Sequence, residues 1–200
     1  MPTSGTLILR EAYQPLAYGV ETVDLDFNLD PQATVVTSRL KCVRNPDAAA
    51  GPVVLFGEAL ELVSIAIDGA APAEGQVRKT ESGLEVDVDA DEVVLTIVTR
   101  INPSANLTLS GLYQSRGGFY TQCEAEGFRR ITYFPDRPDV MARYTVRLEA
   151  DAATCPVLLS NGNLLETGSL PGGRHFARWE DPFPKPSYLF ALVAADLQAL

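Results

Sequence analysis

The stretch Val23-Asp24-Leu25-Asp26-Phe27-Asn28-Leu29-Asp30-Pro31 decides the fold class. Its apolar residues recur at every second position. They leave one face of an extended chain, while Asp24, Asp26 and Asn28 leave the other. Asp30-Pro31 is turn chemistry, and the β-branched run Thr34 to Val43 behind it predicts a strand that pairs back as a hairpin.

The same period of two extends along the rest of the chain. Leu60 to Ile67 predicts a strand stopped by the turn Asp68-Gly69. Leu84, Val86 and Val88 alternate with Glu85, Asp87 and Asp89, and Val93 to Ile101 predicts a more fully buried strand. Further strands are expected at Arg143–Ala150, Val157–Ser160, Leu164–Gly168, Arg174–Trp179 and Tyr188–Ala194. The fourteen prolines and fifteen glycines fall mainly between these runs. Helical periodicity is weak, and the one short helix expected covers Ala125 to Tyr133. These readings predict an all-β fold, an antiparallel multi-sheet, sandwich-like arrangement with residues 1–200 as a single domain.

Composition limits the partners. Twenty-six acidic against sixteen basic residues give a net charge of -10 and a pI near 4.5. Neither a phosphate backbone nor an anionic membrane surface suits such a chain, so no nucleic acid and no membrane partner is expected. No apolar run approaches the roughly 20 residues of a membrane span. Met1 to Tyr13 lacks the basic-then-apolar layout of a signal peptide. Three cysteines, Cys42, Cys123 and Cys155, are an odd number at wide spacing and form no disulfide framework. A cytoplasmic protein with free thiols is expected, and the sequon at Asn106 is then coincidental.

There is a single histidine, His175. An H-E-x-x-H zinc motif needs two, and the alternation around His175 places it on a strand, opposite Phe176. Asp87, Asp89 and Asp91 have the opening spacing of a calcium loop. Glu92 stands where the sharp turn needs glycine, and Val98 where a bidentate glutamate belongs. Catalytic residues and a metal site are therefore not expected within the chain. Trp179 and Phe183 flank Asp181-Pro182, and a packed strand end accounts for them better than a sugar-binding stripe.

One segment carries chemistry. In Thr121-Gln122-Cys123-Glu124-Ala125-Glu126, Gln122 and Glu124 lie two residues apart on an extended chain and leave from the same face. An amide and a carboxylate side by side accept hydrogen bonds from an ammonium group. Cys123 faces the other way, as a small core residue.

Several longer segments extend that reading by resemblance. Gly111-Leu112-Tyr113-Gln114-Ser115, Thr121 through Arg129, and Asp136-Arg137-Pro138-Asp139-Val140 resemble the N-terminal domain of the bacterial aminopeptidase N family. Leu159-Ser160-Asn161-Gly162-Asn163 and Asp181 through Ala194 resemble it too, in the same order. These are zinc aminopeptidases of the gluzincin class. The resemblance implies a saddle-shaped β domain packed on a thermolysin-like catalytic domain that would follow Leu200. The zinc ligands, the general-base glutamate and the G-A-M-E-N motif would lie there, so zinc belongs to the full-length enzyme and not to this chain. It also implies that Gln122 and Glu124 line the substrate pocket, with Glu124 binding the free α-ammonium of a peptide N-terminus. The fragment alone would be inactive.

Tyr133-Phe134-Pro135-Asp136-Arg137-Pro138 departs from the animal-type pattern at this place and leaves Asp136 a structural role, as a turn or cap. The apolar run Tyr188 to Ala195 close to Leu200 predicts that more protein follows. The alternative to an aminopeptidase domain is a non-catalytic β-sandwich binding or scaffold module.

Overall fold

The computed structural model describes residues 10–198, and most of the Met1 to Tyr13 stretch read for a signal peptide lies outside them. Fourteen strands follow in chain order. The first seven are β1 (Tyr18–Asn28), β2 (Thr34–Arg44), β3 (Val53–Phe56), β4 (Glu61–Ile67), β5 (Val77–Lys79), β6 (Gly83–Val86) and β7 (Glu92–Ile101). The others are β8 (Gly111–Ser115), β9 (Gly118–Gln122), β10 (Ala142–Asp151), β11 (Val157–Ser160), β12 (Asn163–Leu170), β13 (Arg174–Lys185) and β14 (Leu192–Ala195). They form a seven-stranded sheet in the order β12-β13-β10-β1-β2-β7-β4, a four-stranded sheet β11-β14-β9-β8 and a three-stranded sheet β3-β6-β5. All-β is therefore right. The antiparallel expectation holds for every named pair except β1 with β10, which run parallel with Leu25 opposite Val146.

The opening stretch behaves as its alternation dictates. Val23, Leu25, Phe27 and Leu29 are buried, and Asp24 and Asp26 face outward. Asp30 Oδ1 accepts from the backbone N–H groups of Gln32 and Ala33 at 2.8 and 2.9 Å, which closes the turn into β2. Asp68 and Gly69 both have positive φ (49° and 79°), the backbone that a two-residue hairpin turn requires.

Some expectations are corrected. β7 is not buried on both faces; it alternates, and Val94 is 39% exposed. The strand after Gly83 ends at Val86, so Asp87 to Asp91 form a connection in which Asp87 pairs with Arg78 and Asp91 with Arg44. Ser187–Leu189 is a 3-10 turn, and the last strand begins only at Leu192. The segment Ala125–Tyr133 forms no α-helix, only a 3-10 turn over Phe128–Arg130. Phe183 is 75% exposed rather than packed, although Trp179 does rest against the core.

The irregular segment 123–136 lies across the buried face of the large sheet. Its fixed points are specific. Phe128 is fully buried and meets Phe134, Tyr144 and Phe190 edge to face, with centroids 5.0, 6.1 and 5.2 Å away. Two buried polar residues of the sheet satisfy its other groups: Thr99 Oγ1 donates to the Ile131 carbonyl at 2.9 Å, and Ser38 and Thr132 share a hydrogen bond at 3.0 Å. Buried hydroxyls thus stand where non-strand backbone enters the core.

Candidate functional site

Gln122 closes β9, which is held on both sides. Gln122 pairs with Gly111 of β8, and Tyr120 pairs with Val193 of β14. The β8–β9 connection is the two-residue turn Arg116-Gly117, both at positive φ (49° and 85°). This hairpin was not read from the sequence, although Gly117 between two aromatic runs was the available signal.

Past Gln122 the chain keeps its alternation for two more residues. Cys123 points inward and is 2% exposed, while Gln122 and Glu124 are both exposed. Burial raises the Cys123 thiol well above its ordinary range, and the nearby Asp136 carboxylate raises it further. The Gln122 side-chain Nε2 donates to the Glu124 backbone carbonyl at 3.2 Å, so the two residues are tied together. The Glu124–Ala125 peptide is cis. The turn then closes where the Gly127 N–H donates to the Cys123 carbonyl at 2.8 Å.

Gly127 is required by space, not by dihedral angle. Its φ of -79° suits any residue. A Cβ there would stand 2.3 Å from the Gln122 carbonyl oxygen and 2.9 Å from both Cys123 Cα and the Gly111 nitrogen, all backbone atoms. The two legs of the loop touch at this point.

Three carboxylates and amides are therefore presented by the loop, and they differ. Glu126 forms an ion pair with Arg129 at 3.2 Å. Gln122 uses its amide nitrogen within the loop. Glu124 is exposed, and among the described residues its carboxylate is in no ion pair.

The downstream leg is anchored by Asp136, whose side chain is 1% exposed. Its Oδ2 accepts from the Arg129 backbone N–H at 3.0 Å and from Arg129 Nε at 3.1 Å; its backbone carbonyl accepts from Arg129 Nη2 at 2.9 Å. Its Oδ1 accepts from the buried Ser187 hydroxyl. The Arg129 guanidinium also covers the Phe56 ring at 4.7 Å. Beside it, Arg130 pairs with Glu58.

The donors for a metal are not assembled. Among the described residues no group of three or more His, Cys, Asp or Glu stands together. The His175 Nε2 is engaged with the Cys155 carbonyl at 2.7 Å, and Cys42, Cys123 and Cys155 are separate buried thiols. These residues do not fit a catalytic zinc. A recess of about 560 Å³ is lined by Tyr13, Tyr18, Glu21, Arg44, Asp139 and Met141 and includes neither Gln122 nor Glu124. No helix among the described residues is long and apolar enough to cross a membrane.

Comparison with known proteins fits this geometry. Residues 18–189 match the model of the peptidase M1 N-terminal domain. The chain is 56% identical over 188 residues to aminopeptidase N of Caulobacter vibrioides and 47% identical over 191 residues to that of Escherichia coli. These alignments cover 94% and 96% of this chain but only 22% of each relative, so the chain spans about a fifth of their length. Among solved structures, Legionella pneumophila aminopeptidase A, in complex with aspartic acid, superposes with a TM-score of 0.87 at 36% identity, over 94% of this chain and 22% of that one. An M1 zinc metallopeptidase from Deinococcus radiodurans has the same fold, with a TM-score of 0.78 at 17% identity, over 92% of this chain and 44% of its own. A match over nearly the whole described chain, with the loop and its anchors inside it, places this protein in the peptidase M1 N-terminal domain family.

Proposed function

We propose that this domain supplies amine recognition to a zinc aminopeptidase whose catalytic domain lies further along the same polypeptide. The observation that carries the proposal is Glu124, exposed and in no ion pair among the described residues, in a loop whose two legs are fixed. A carboxylate held at one end of a cleft complements a peptide's free α-ammonium and fixes the distance from that amine to the scissile carbonyl. An internal peptide bond offers no such ammonium, so the same contact selects for exopeptidase action. Gln122 adds an amide beside it and holds the Glu124 carbonyl in place. Neither residue lines the 560 Å³ recess, in keeping with a pocket completed by another domain.

On this reading the chemistry of hydrolysis belongs to zinc held elsewhere, since among the described residues no group of three or more His, Cys, Asp or Glu stands together. The partners proposed are therefore the peptide N-terminus and the catalytic domain, in a cytoplasmic enzyme.

The test is kcat/KM for an alanyl-anilide substrate in the full-length enzyme, with zinc content checked. Losing a charge-assisted contact worth roughly 1.5 to 3 kcal/mol predicts that Glu124→Ala lowers kcat/KM about 10- to 150-fold. Glu124→Gln falls between, since it keeps an acceptor and loses the charge. Glu126→Ala is near neutral, because Glu126 is committed to Arg129. Equal small effects at Glu124 and Glu126 reduce the pair to a solvated strand end. A polypeptide without H-E-x-x-H beyond this domain favours the binding-module reading.

A further inference from the structure

We infer that Asp136 is a positioning residue for Glu124: it clamps the downstream leg of the loop to the segment that carries Ser187, and substrate amine recognition depends on that clamp. The inference rests on the role proposed for Glu124.

The geometry assigns the two carboxylates different work. Glu124 is exposed and stands five residues before Arg129; Asp136 is 2% exposed and cannot meet a substrate. Between Glu124 and Arg129 there is little slack, since the Gly127 N–H already bonds the Cys123 carbonyl and Gly127 touches the backbone of Gln122. A shift of Arg129 is therefore passed to the turn. Asp136 holds Arg129 through three hydrogen bonds that include the Arg129 backbone N–H, and the Glu58 backbone N–H donates to the Arg129 carbonyl at 3.0 Å. The second oxygen of Asp136 is held by Ser187, 51 residues further along.

The arrangement goes beyond a turn or a cap, which would satisfy only neighbouring backbone groups. Asp136 links three parts of the fold: the loop through Arg129, its own strap after Phe134, and the 3-10 turn Ser187–Leu189 that leads into β14. β14 is the strand paired with β9, which carries the upstream leg. Both legs of the Glu124 loop thus refer to one buried carboxylate. Removing the Asp136 charge leaves the Arg129 guanidinium with Glu126 alone and frees the Arg129 backbone N–H, so this leg of the loop is then held only through the Arg129 carbonyl on the Glu58 N–H.

A double-mutant cycle in the full-length zinc enzyme tests this, read as kcat/KM for an alanyl-anilide and as affinity for an inhibitor lacking an amine. Misplacing a binding group by about 1 Å costs up to about 100-fold. Asp136→Asn is expected to lower kcat/KM about 10-fold while leaving zinc content and affinity for the amine-free inhibitor unchanged. Placed on a Glu124→Ala background, the same change should lower it by less than about 2-fold, since the residue it acts through is gone. Ser187→Ala, a milder loosening of the same clamp, should show the same dependence with a loss of about 3-fold, and it serves if Asp136→Asn does not fold. Equal losses on both backgrounds, or no loss in the enzyme with Glu124 intact, overturn the inference. Glu124→Ala as active as the wild type overturns the amine-recognition reading itself, and the positioning role with it.

Discussion

Gly127→Ala isolates the close approach that gives the loop its shape. The added Cβ would sit 2.3 Å from the Gln122 carbonyl oxygen, with two further backbone atoms at 2.9 Å. An ordinary carbon–oxygen contact is about 3.3 Å or more, so roughly 1 Å of backbone movement is demanded. No flexible side chain is among the three atoms, and β9 cannot retreat because β8 and β14 hold it. Overpacking of this kind costs about 3 kcal/mol at the upper end of its usual range. The lost unfolded-state freedom of glycine returns about 0.4 to 1 kcal/mol, since φ of -79° suits alanine. The net expectation is a destabilisation of about 2 kcal/mol, or about 1 M in urea midpoint for a slope near 2 kcal/mol/M.

Two other glycines separate steric clash from backbone strain. Gly19 has open space around it and no positive φ, so Gly19→Ala should fall within about 0.5 kcal/mol of wild type. Gly75 also has open space but sits at φ 76°, so Gly75→Ala should cost about 1 kcal/mol from backbone strain alone. Urea unfolding of the three variants, followed at unchanged slope, provides the comparison. If Gly127→Ala unfolds no more easily than Gly19→Ala, the two legs of the loop are not in contact and the argument for a fixed Glu124 collapses.

Two further outcomes follow from buried and paired groups. Burial pushes the Cys42 thiol up to about 12 and raises those of Cys123 and Cys155, so a disulfide reagent at about pH 8 should find no reactive thiol in the native protein and three after unfolding; one free thiol after unreduced unfolding would mean a disulfide instead. Glu149 has the opposite lever. Burial opposes its ionisation, but Arg174 at 2.9 Å and Arg147 at 3.1 Å outweigh it and hold the carboxyl below its ordinary 4.5. A depressed carboxylate stabilises the fold fully above the unfolded value and loses that contribution as pH falls through the folded one. The stability gap between wild type and Glu149→Gln should therefore be largest near about pH 6 and shrink below about pH 4, in urea midpoints; a gap independent of pH would show that the ion pairs contribute nothing.

Strands that bury one face were legible, and their neighbours were not, for a physical reason. β1 and β2 bury Val23, Leu25, Phe27, Val36, Leu40 and Cys42 on a period of two, and that pattern is local. β3 and β5 are four and three residues long, too short to display a period. β8 and β9 mix glycine, glutamine and serine with aromatics, so the hairpin is visible only through Arg116-Gly117. The parallel pairing of β1 with β10 was invisible because partners more than a hundred residues apart leave no mark on local periodicity. The helix expected over Ala125–Tyr133 failed on tertiary grounds. Thr99 and Ser38 draw the backbone and hydroxyl groups of that segment toward the sheet, and a helix would have kept its carbonyls to itself.

The candidate site divides along the same line. Gln122 and Glu124 were legible because presentation on a strand end is a matter of neighbouring residues: Cys123 must go in, so both flanking side chains go out. What makes such a pair useful is different in kind. An exposed glutamate on a free loop samples many positions, and a contact that must measure the distance from amine to carbonyl needs one. That restriction comes from Gly127 against Gln122, Phe128 among three aromatic rings, and Arg129 on Asp136. Asp136 reads in sequence as one more turn residue beside a proline. Its partner Ser187 is 51 positions away, in a segment whose sequence reads as the approach to a core strand. The chemistry proposed for this site is therefore written locally, in a Gln-x-Glu step of the strand, and the anchoring of its loop is written at a distance, in buried polar residues that no short motif contains.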